Sequence, residues 1–158
     1  MGGALSGHYT IEGLALTALR EIRDERGAVL HMLRADAPEF AGFGELYFSE
    51  ILPGARKAWK LHRTHTQNLA VPVGRIRVVI YDSRPHSPTA GAVAAIDLGR
   101  PDAYQRLRIP PSLWYGFKCL SDTPALIANC CDRVHDPAES ESLPFDRLES
   151  PAAIRLLS

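Results

Sequence analysis

Arg75-Ile76-Arg77-Val78-Val79-Ile80-Tyr81-Asp82 (RIRVVIYD) is the stretch that decides the fold class. Its side chains alternate with a period of two, the pattern of a β-strand rather than a helix. Ile76, Val78, Ile80 and Asp82 fall on one face, and Arg75, Arg77, Val79 and Tyr81 on the other. The acid on the apolar face is the informative departure. Working outward, further strands are expected over 28–34, 44–51, 69–71, 92–97, 105–109 and 125–130. Turns are expected at Pro53-Gly54, Val73-Gly74 and Pro110-Pro111. Twelve prolines and twelve glycines keep the segments too short for a helical domain. Seven or more short strands predict an all-β fold, an antiparallel sandwich or jelly-roll barrel. Helical signals are confined to the ends. Ser150-Pro151 before AAIRLLS reads as a cap and a short terminal helix, and Asp136–Ser142 (DPAESES) as a short surface turn or helix.

The 158 residues carry 18 Lys plus Arg against 18 Asp plus Glu, a net charge of zero, and 46% of them are hydrophobic. Residues 1–158 are therefore read as one domain with a real core. No broad charged footprint favours nucleic acid or an anionic membrane. No apolar run approaches the roughly 20 residues of a bilayer span. Met1–Tyr9 lacks the basic and apolar regions of a secretory signal, so a soluble protein of the cytoplasm is expected. Cys119, Cys130 and Cys131 form neither a redox nor a zinc motif and read as buried strand thiols.

Two stretches could carry chemistry. Lys57–Asn68 (KAWKLHRTHTQN) packs His62 and His65 among basic residues and Trp59. Three apart on a regular strand, the two histidines would point to opposite faces and make poor joint ligands unless the chain turns between them. Both can equally be surface or edge histidines. In Gln105–Leu120 (QRLRIPPSLWYGFKCL), Trp114 and Phe117 read as packing residues. Tyr115 differs, because a phenol buried beside a histidine needs a hydrogen-bond partner and can act as a general acid. A metal centre would need about three histidines and a carboxylate converging on one ion, and none is expected here. His8, His31, His86 and His135 read as scattered solvated or turn histidines, and Lys118 as a surface charge.

Several segments in order resemble one family. They are Asp24-Glu25-Arg26-Gly27, Leu61-His62, Val73–Arg84 (VGRIRVVIYDSR), Ser87-Pro88-Thr89, Ile109-Pro110 with Gly116-Phe117, Leu120-Ser121-Asp122-Thr123, and Asp136–Ser140. Over about residues 20 to 147 the chain resembles the dTDP-4-dehydrorhamnose 3,5-epimerases, a family of cupin jelly-roll barrels. The resemblance implies a homodimer, without metal or other cofactor, that binds a nucleotide-diphosphate sugar in the barrel mouth and moves protons beside a 4-keto group. Such a proton is removable only when a base is positioned and the enolate oxygen is stabilised.

By position, the resemblance places His62 on the base and Asp82 on the buried acid of the same wall. It places Arg26 on an arginine that contacts the diphosphate, partly across the dimer interface. Lys60 could supply charge to the phosphates or the enolate. Tyr47 falls on a nucleotide-binding position, with Ser49 beside it in the pattern. Trp59 stands where the family has arginine, Gln67 where it has lysine, and Tyr115 where it has a second histidine. The family's proton-donating tyrosine falls near Ala128, so Tyr115 becomes the candidate acid. Val29 and His31 stand where the family has phenylalanine and glutamate. The aspartate that orients the family's histidine has no counterpart after Leu143–Asp146, which leaves Asp82 as the candidate partner of His62. The function implied is epimerisation at C3, C5 or both. A single-site epimerase, a sugar 3,4-ketoisomerase and a catalytically silent binding module remain open beside it.

Overall fold

The computed structural model describes residues 11–158. The alternating stretch forms β7 (Arg75–Tyr81). Before it come β1 (Ala15–Ala18), β2 (Glu21–Asp24), β3 (Gly27–Leu30), β4 (Glu45–Ile51), β5 (Arg56–His62) and β6 (Gln67–Val73). After it come β8 (Val93–Gly99), β9 (Gln105–Ile109), β10 (Trp114–Cys119), β11 (Ala125–Cys131), β12 (Ser140–Ser142) and the helix α1 (Pro151–Leu157). Two five-stranded antiparallel sheets, β1-β9-β6-β11-β4 and β12-β5-β10-β7-β8, face each other as the expected jelly roll, and β2 and β3 form a separate hairpin. No helix among the described residues is long and apolar enough to cross a membrane.

β7 is buried on both faces. Ile76, Val78 and Ile80 pack inward with Leu69, Val71, Leu107 and Ile127 of the opposite sheet. Val79 and Tyr81 pack outward with Trp59, Trp114, Leu148 and the α1 residues Ala153 and Leu157. Each such aliphatic side chain contributes about 1.5–3 kcal/mol on full burial. The terminal helix begins as expected: Ser150 caps it by accepting from the Ala153 amide (3.3 Å), with Pro151 in its first turn.

A bulge in β5 shapes one wall. Tyr115 pairs with Lys60 and Phe117 with Lys57, so Ala58 and Trp59 together oppose Gly116. The register shift puts Lys57 and Lys60 on the same, inward side, although they are three residues apart. Gly116 is required there: a Cβ would lie 2.5 Å from the Ala58 Cβ and 2.9 Å from a Leu157 methyl. Trp59 turns outward, stacks on Phe145 at 6.0 Å and donates its indole N–H to the Phe145 carbonyl (2.8 Å).

Several local expectations need correcting. The strand expected over 28–34 is the second arm of the β2–β3 hairpin and ends at Leu30. Its turn is fixed by Asp24, which accepts from the Arg26 amide at 2.8 Å, and by Gly27 at φ 146°. Lys57–His62, not among the expected strands, belongs to β5, and its basic residues Lys57 and Lys60 edge a cavity rather than a core. β6 runs from Gln67 to Val73, longer than expected; Pro72 is accommodated where the register with β11 shifts. Cys119, Cys130 and Cys131 are buried and free, as expected. His8 lies outside the described residues.

Candidate active site

Between the two sheets, at the end bounded by β4, β5, β6, β10 and β11, lie two adjoining cavities of about 350 and about 500 Å³ that share Tyr47 and Lys60. The smaller is edged by Lys57, Lys60, Tyr115, Phe117, Ile127 and Asn129. The larger holds the titratable groups His62, His65, His135, Glu45 and Glu139, with Gln67 and Cys131.

His62 ends β5, and the chain bends through Arg63 and Thr64 before β6 begins. That bend is the turn between the two histidines on which their facing one way depended. Both histidines turn to one carboxylate, with ring centroids 5.8 Å apart. The carboxylate is Glu139, in the segment read as a surface turn. Asp136 accepts from the Ala138 amide (2.9 Å) and starts a single 3-10 turn over Pro137–Glu139. β12 then pairs with β5, Ser140 opposite His62, which delivers Glu139 to the base of the cavity with only 8% of its surface exposed.

Glu139 is saturated. One oxygen accepts from His62 Nδ1; the other lies 2.8 Å from His65 Nδ1 and accepts from the Thr64 amide (3.2 Å) and the Thr64 hydroxyl (3.3 Å). Burial alone would raise its pKa, but His62, the Thr64 amide and His65 outweigh it and hold the carboxyl down to about 2. Because His62 gives its Nδ1 proton to Glu139, its Nε2 is an acceptor when the ring is neutral, and the Tyr115 hydroxyl donates to it at 3.2 Å. Burial lowers the His62 pKa, against the pull of Glu139, so the ring favours its basic form. His65 goes the other way. Burial would lower its pKa, but the Val134 carbonyl, which accepts from its Nε2 at 2.8 Å, and Glu139 raise it. Burial pushes the Tyr115 phenol far up, so it stays protonated.

His62, His65 and Glu139 are also the group among the described residues that could hold a metal ion, with ligand atoms within 4.8 Å of one another. Their spacing is that of hydrogen bonds. The 2.8 Å between His65 Nδ1 and Glu139 is shorter than the roughly 3.3 Å between ligands around a tetrahedral zinc bonded at 2.0–2.1 Å.

The structure therefore brings His62 and Gln67 to the larger cavity and Tyr115 to the smaller, with Tyr47 and Lys60 shared between the two. Gln67 is buried; its carbonyl accepts from Asn129 Nδ2 (2.6 Å) and the Cys131 thiol (3.3 Å), while its own Nε2 has no partner among the described residues. Asp82 does not partner His62. It lies at the end of β7, fully buried, accepting from Arg84 (2.8 Å), Ser87 (2.7 Å) and Thr89 (2.7 Å). Those donors hold its pKa far down against the upward push of burial. Trp59 touches the smaller cavity, but its ring packs mainly in the outer cluster and its indole N–H is already committed to the Phe145 carbonyl. Arg26 stands at the hairpin tip with its side chain 82% exposed and paired to Asp24 at 2.5 Å, sharing no cavity with His62.

Sequence reasoning missed Glu139 and Asn129, and left His65 open. Asp136-Pro137 three residues before Glu139 signals a capped turn, but only the β12–β5 pairing says where that turn points.

A double-sheet jelly roll with a histidine–carboxylate pair on its inner wall defines a cupin-type barrel. The chain belongs to the dTDP-4-dehydrorhamnose 3,5-epimerase family, whose sequence profile matches residues 8–150. It is 35% identical over 127 residues to the probable low-salt glycan biosynthesis epimerase Agl13 of Haloferax volcanii, covering 78% of this chain and 81% of that one. It is 28% identical over 138 residues to the spore coat polysaccharide biosynthesis protein SpsL of Bacillus subtilis, covering 86% and 91%. Among solved structures, a dTDP sugar isomerase from Desulfovibrio desulfuricans superposes with a TM-score of 0.86 at 54% identity over 94% of this chain and 92% of that one. The Legionella pneumophila epimerase in complex with dTDP-4-keto-L-rhamnose has the same fold, with a TM-score of 0.78 at 23% identity over 90% and 81%.

Proposed function

We propose that the protein epimerises a nucleotide-diphosphate 4-keto-6-deoxysugar, with His62 Nε2 as the base that removes a proton beside the ketone. The observation that carries this reading is the His62–Glu139 pair facing a cavity whose wall also presents Lys60. Glu139 fixes the tautomer and favours the imidazolium that forms on proton abstraction. Lys60 Nζ supplies the positive charge that the enolate oxygen needs. Lys57, on the same wall, extends that charge along the smaller cavity toward the diphosphate. The 3.2 Å bond from Tyr115 is given up when substrate reaches Nε2.

The reading is tested in D2O with 4-keto-6-deoxyhexoses carrying TDP, UDP, CDP or GDP, following deuterium at each ring carbon by NMR. Exchange at C3 or C5 that disappears in His62→Ala supports it. Full turnover by His62→Ala sinks the base assignment, and binding without exchange by the native protein indicates a silent module. A second reading, epimerisation at one carbon only, is favoured by there being one candidate base on that wall, His62 Nε2, with the His65 nitrogens turned to Val134 and Glu139. Deuterium at a single carbon identifies it.

The same reading makes the protein a cytoplasmic homodimer. Three buried free thiols suit a reducing compartment. β4 ends its sheet unpaired on one side, with Leu46 48% and Phe48 62% exposed. Pairing of a second copy along that edge is the arrangement in which Arg26 could serve the partner's site, and equilibrium sedimentation tests it.

A further inference from the structure

Inverting a carbon needs a proton delivered to the face opposite the base. On the His62 wall, the Tyr115 hydroxyl is bonded to the base itself, so it lies on the face from which the proton leaves. The opposite wall, β4 and β11, holds a second phenol. Tyr47 edges both cavities and shares them with Lys60. Its position is fixed by Asn129 on the neighbouring strand, whose Nδ2 donates to the phenol oxygen at 2.8 Å.

That bond is made to the oxygen and leaves the phenol's own hydrogen available. The nearby Cys131 thiol is only a weak acceptor. Burial holds the Tyr47 pKa up at about 12, so the group is a proton carrier at neutral pH.

Resting on the epimerase reading above, we propose that Tyr47 is the catalytic acid, giving its hydroxyl proton to the enolate carbon from the wall opposite His62. The balance is simple. His62 Nε2 takes the carbon-bound proton, and the C–H electron pair becomes the enolate. The enolate carbon then takes the Tyr47 proton as the ketone re-forms. The phenolate left behind accepts the Asn129 N–H, and solvent carries a proton from the His62 imidazolium back to it. Asn129 is a positioning residue that also stabilises that phenolate.

The test separates exchange from inversion, using native protein and Tyr47→Phe with the same four sugar nucleotides in D2O. Tyr47→Phe keeps deuterium exchange, which needs only His62, and loses the inverted product by on the order of 10²-fold or more. Retained exchange is its own control for folding. Tyr115→Phe moves exchange and inversion together, because Tyr115 acts on the base. The proposal is overturned if Tyr47→Phe forms inverted product at the native rate, if it loses exchange along with inversion while melting like the native protein, or if Tyr115→Phe is the variant that splits the two. Should Tyr47→Phe fail to fold, Asn129→Leu makes the same test. Inversion then falls at least about tenfold with exchange kept, and unchanged inversion overturns the proposal. A native protein that exchanges no carbon of any of the four overturns the epimerase reading itself. That result is distinct from every outcome in which exchange persists.

Discussion

Asp82 and Glu139 are both buried carboxylates ringed by donors, and they serve different ends. Asp82 accepts from Arg84, Ser87 and Thr89, two, five and seven residues along the chain. A guanidinium neutralises it within its own loop, and nothing of it is left for a ligand. Glu139 accepts from His62 and Thr64, 77 and 75 residues away, and faces a cavity. Its partners include imidazoles, which titrate near neutrality. A carboxylate paired to arginine holds a turn; one paired to a histidine that lines a cavity can tune a base.

Exchanging the two acids for their amides sharpens this contrast. Asp82→Asn leaves the half-buried Arg84 without its counter-charge and destabilises the fold by about 2–4 kcal/mol, read by urea unfolding, while folded molecules keep their kcat. A large fall in kcat at full folding would break the comparison. Glu139→Gln has the converse effect. The protein folds, and kcat falls on the order of 10²-fold, about 2.7 kcal/mol of barrier, because the His62 tautomer and imidazolium lose their support. Thr89→Val removes one bond to the Asp82 carboxylate and costs about 1.5–3 kcal/mol in the same unfolding measurement.

The smallest effect is on the pH profile. Burial puts the His62 pKa below the ordinary imidazole value of about 6.5, so kcat/KM falls only as pH drops below that value. Glu139 opposes the shift, so Glu139→Gln moves the acid limb lower still, and Asp82→Asn leaves it in place. An upward move in Glu139→Gln would mean that the limb belongs to another group.

The fold was legible in the sequence wherever a strand keeps its period of two with one apolar face, as in Arg75–Tyr81. Ser150-Pro151 likewise announced its helix, because capping chemistry is local. Lys57–His62 hid its strand, because the bulge at Ala58-Trp59 breaks the alternation and its inward side chains are cationic. Within the site, His62 and Tyr115 were legible through the order of family segments. Alternation found the buried acid at Asp82 but not its partners, since burial is periodic and pairing is not. His65 and Glu139 meet only because one bend follows β5 and a short strand, β12, returns beside it. Neither event leaves a pattern in the residues concerned.

The extra residue in β5 divides one strand into two segments of independent phase. Downstream, Lys60 and His62 keep their aim through the register with Trp114 and Tyr115; upstream, Lys57 is aimed through the register with Phe117. Residues in the upstream half can therefore change without rotating His62. The bulge works as a joint, so that Lys57 and His62 are aimed into the barrel independently of each other.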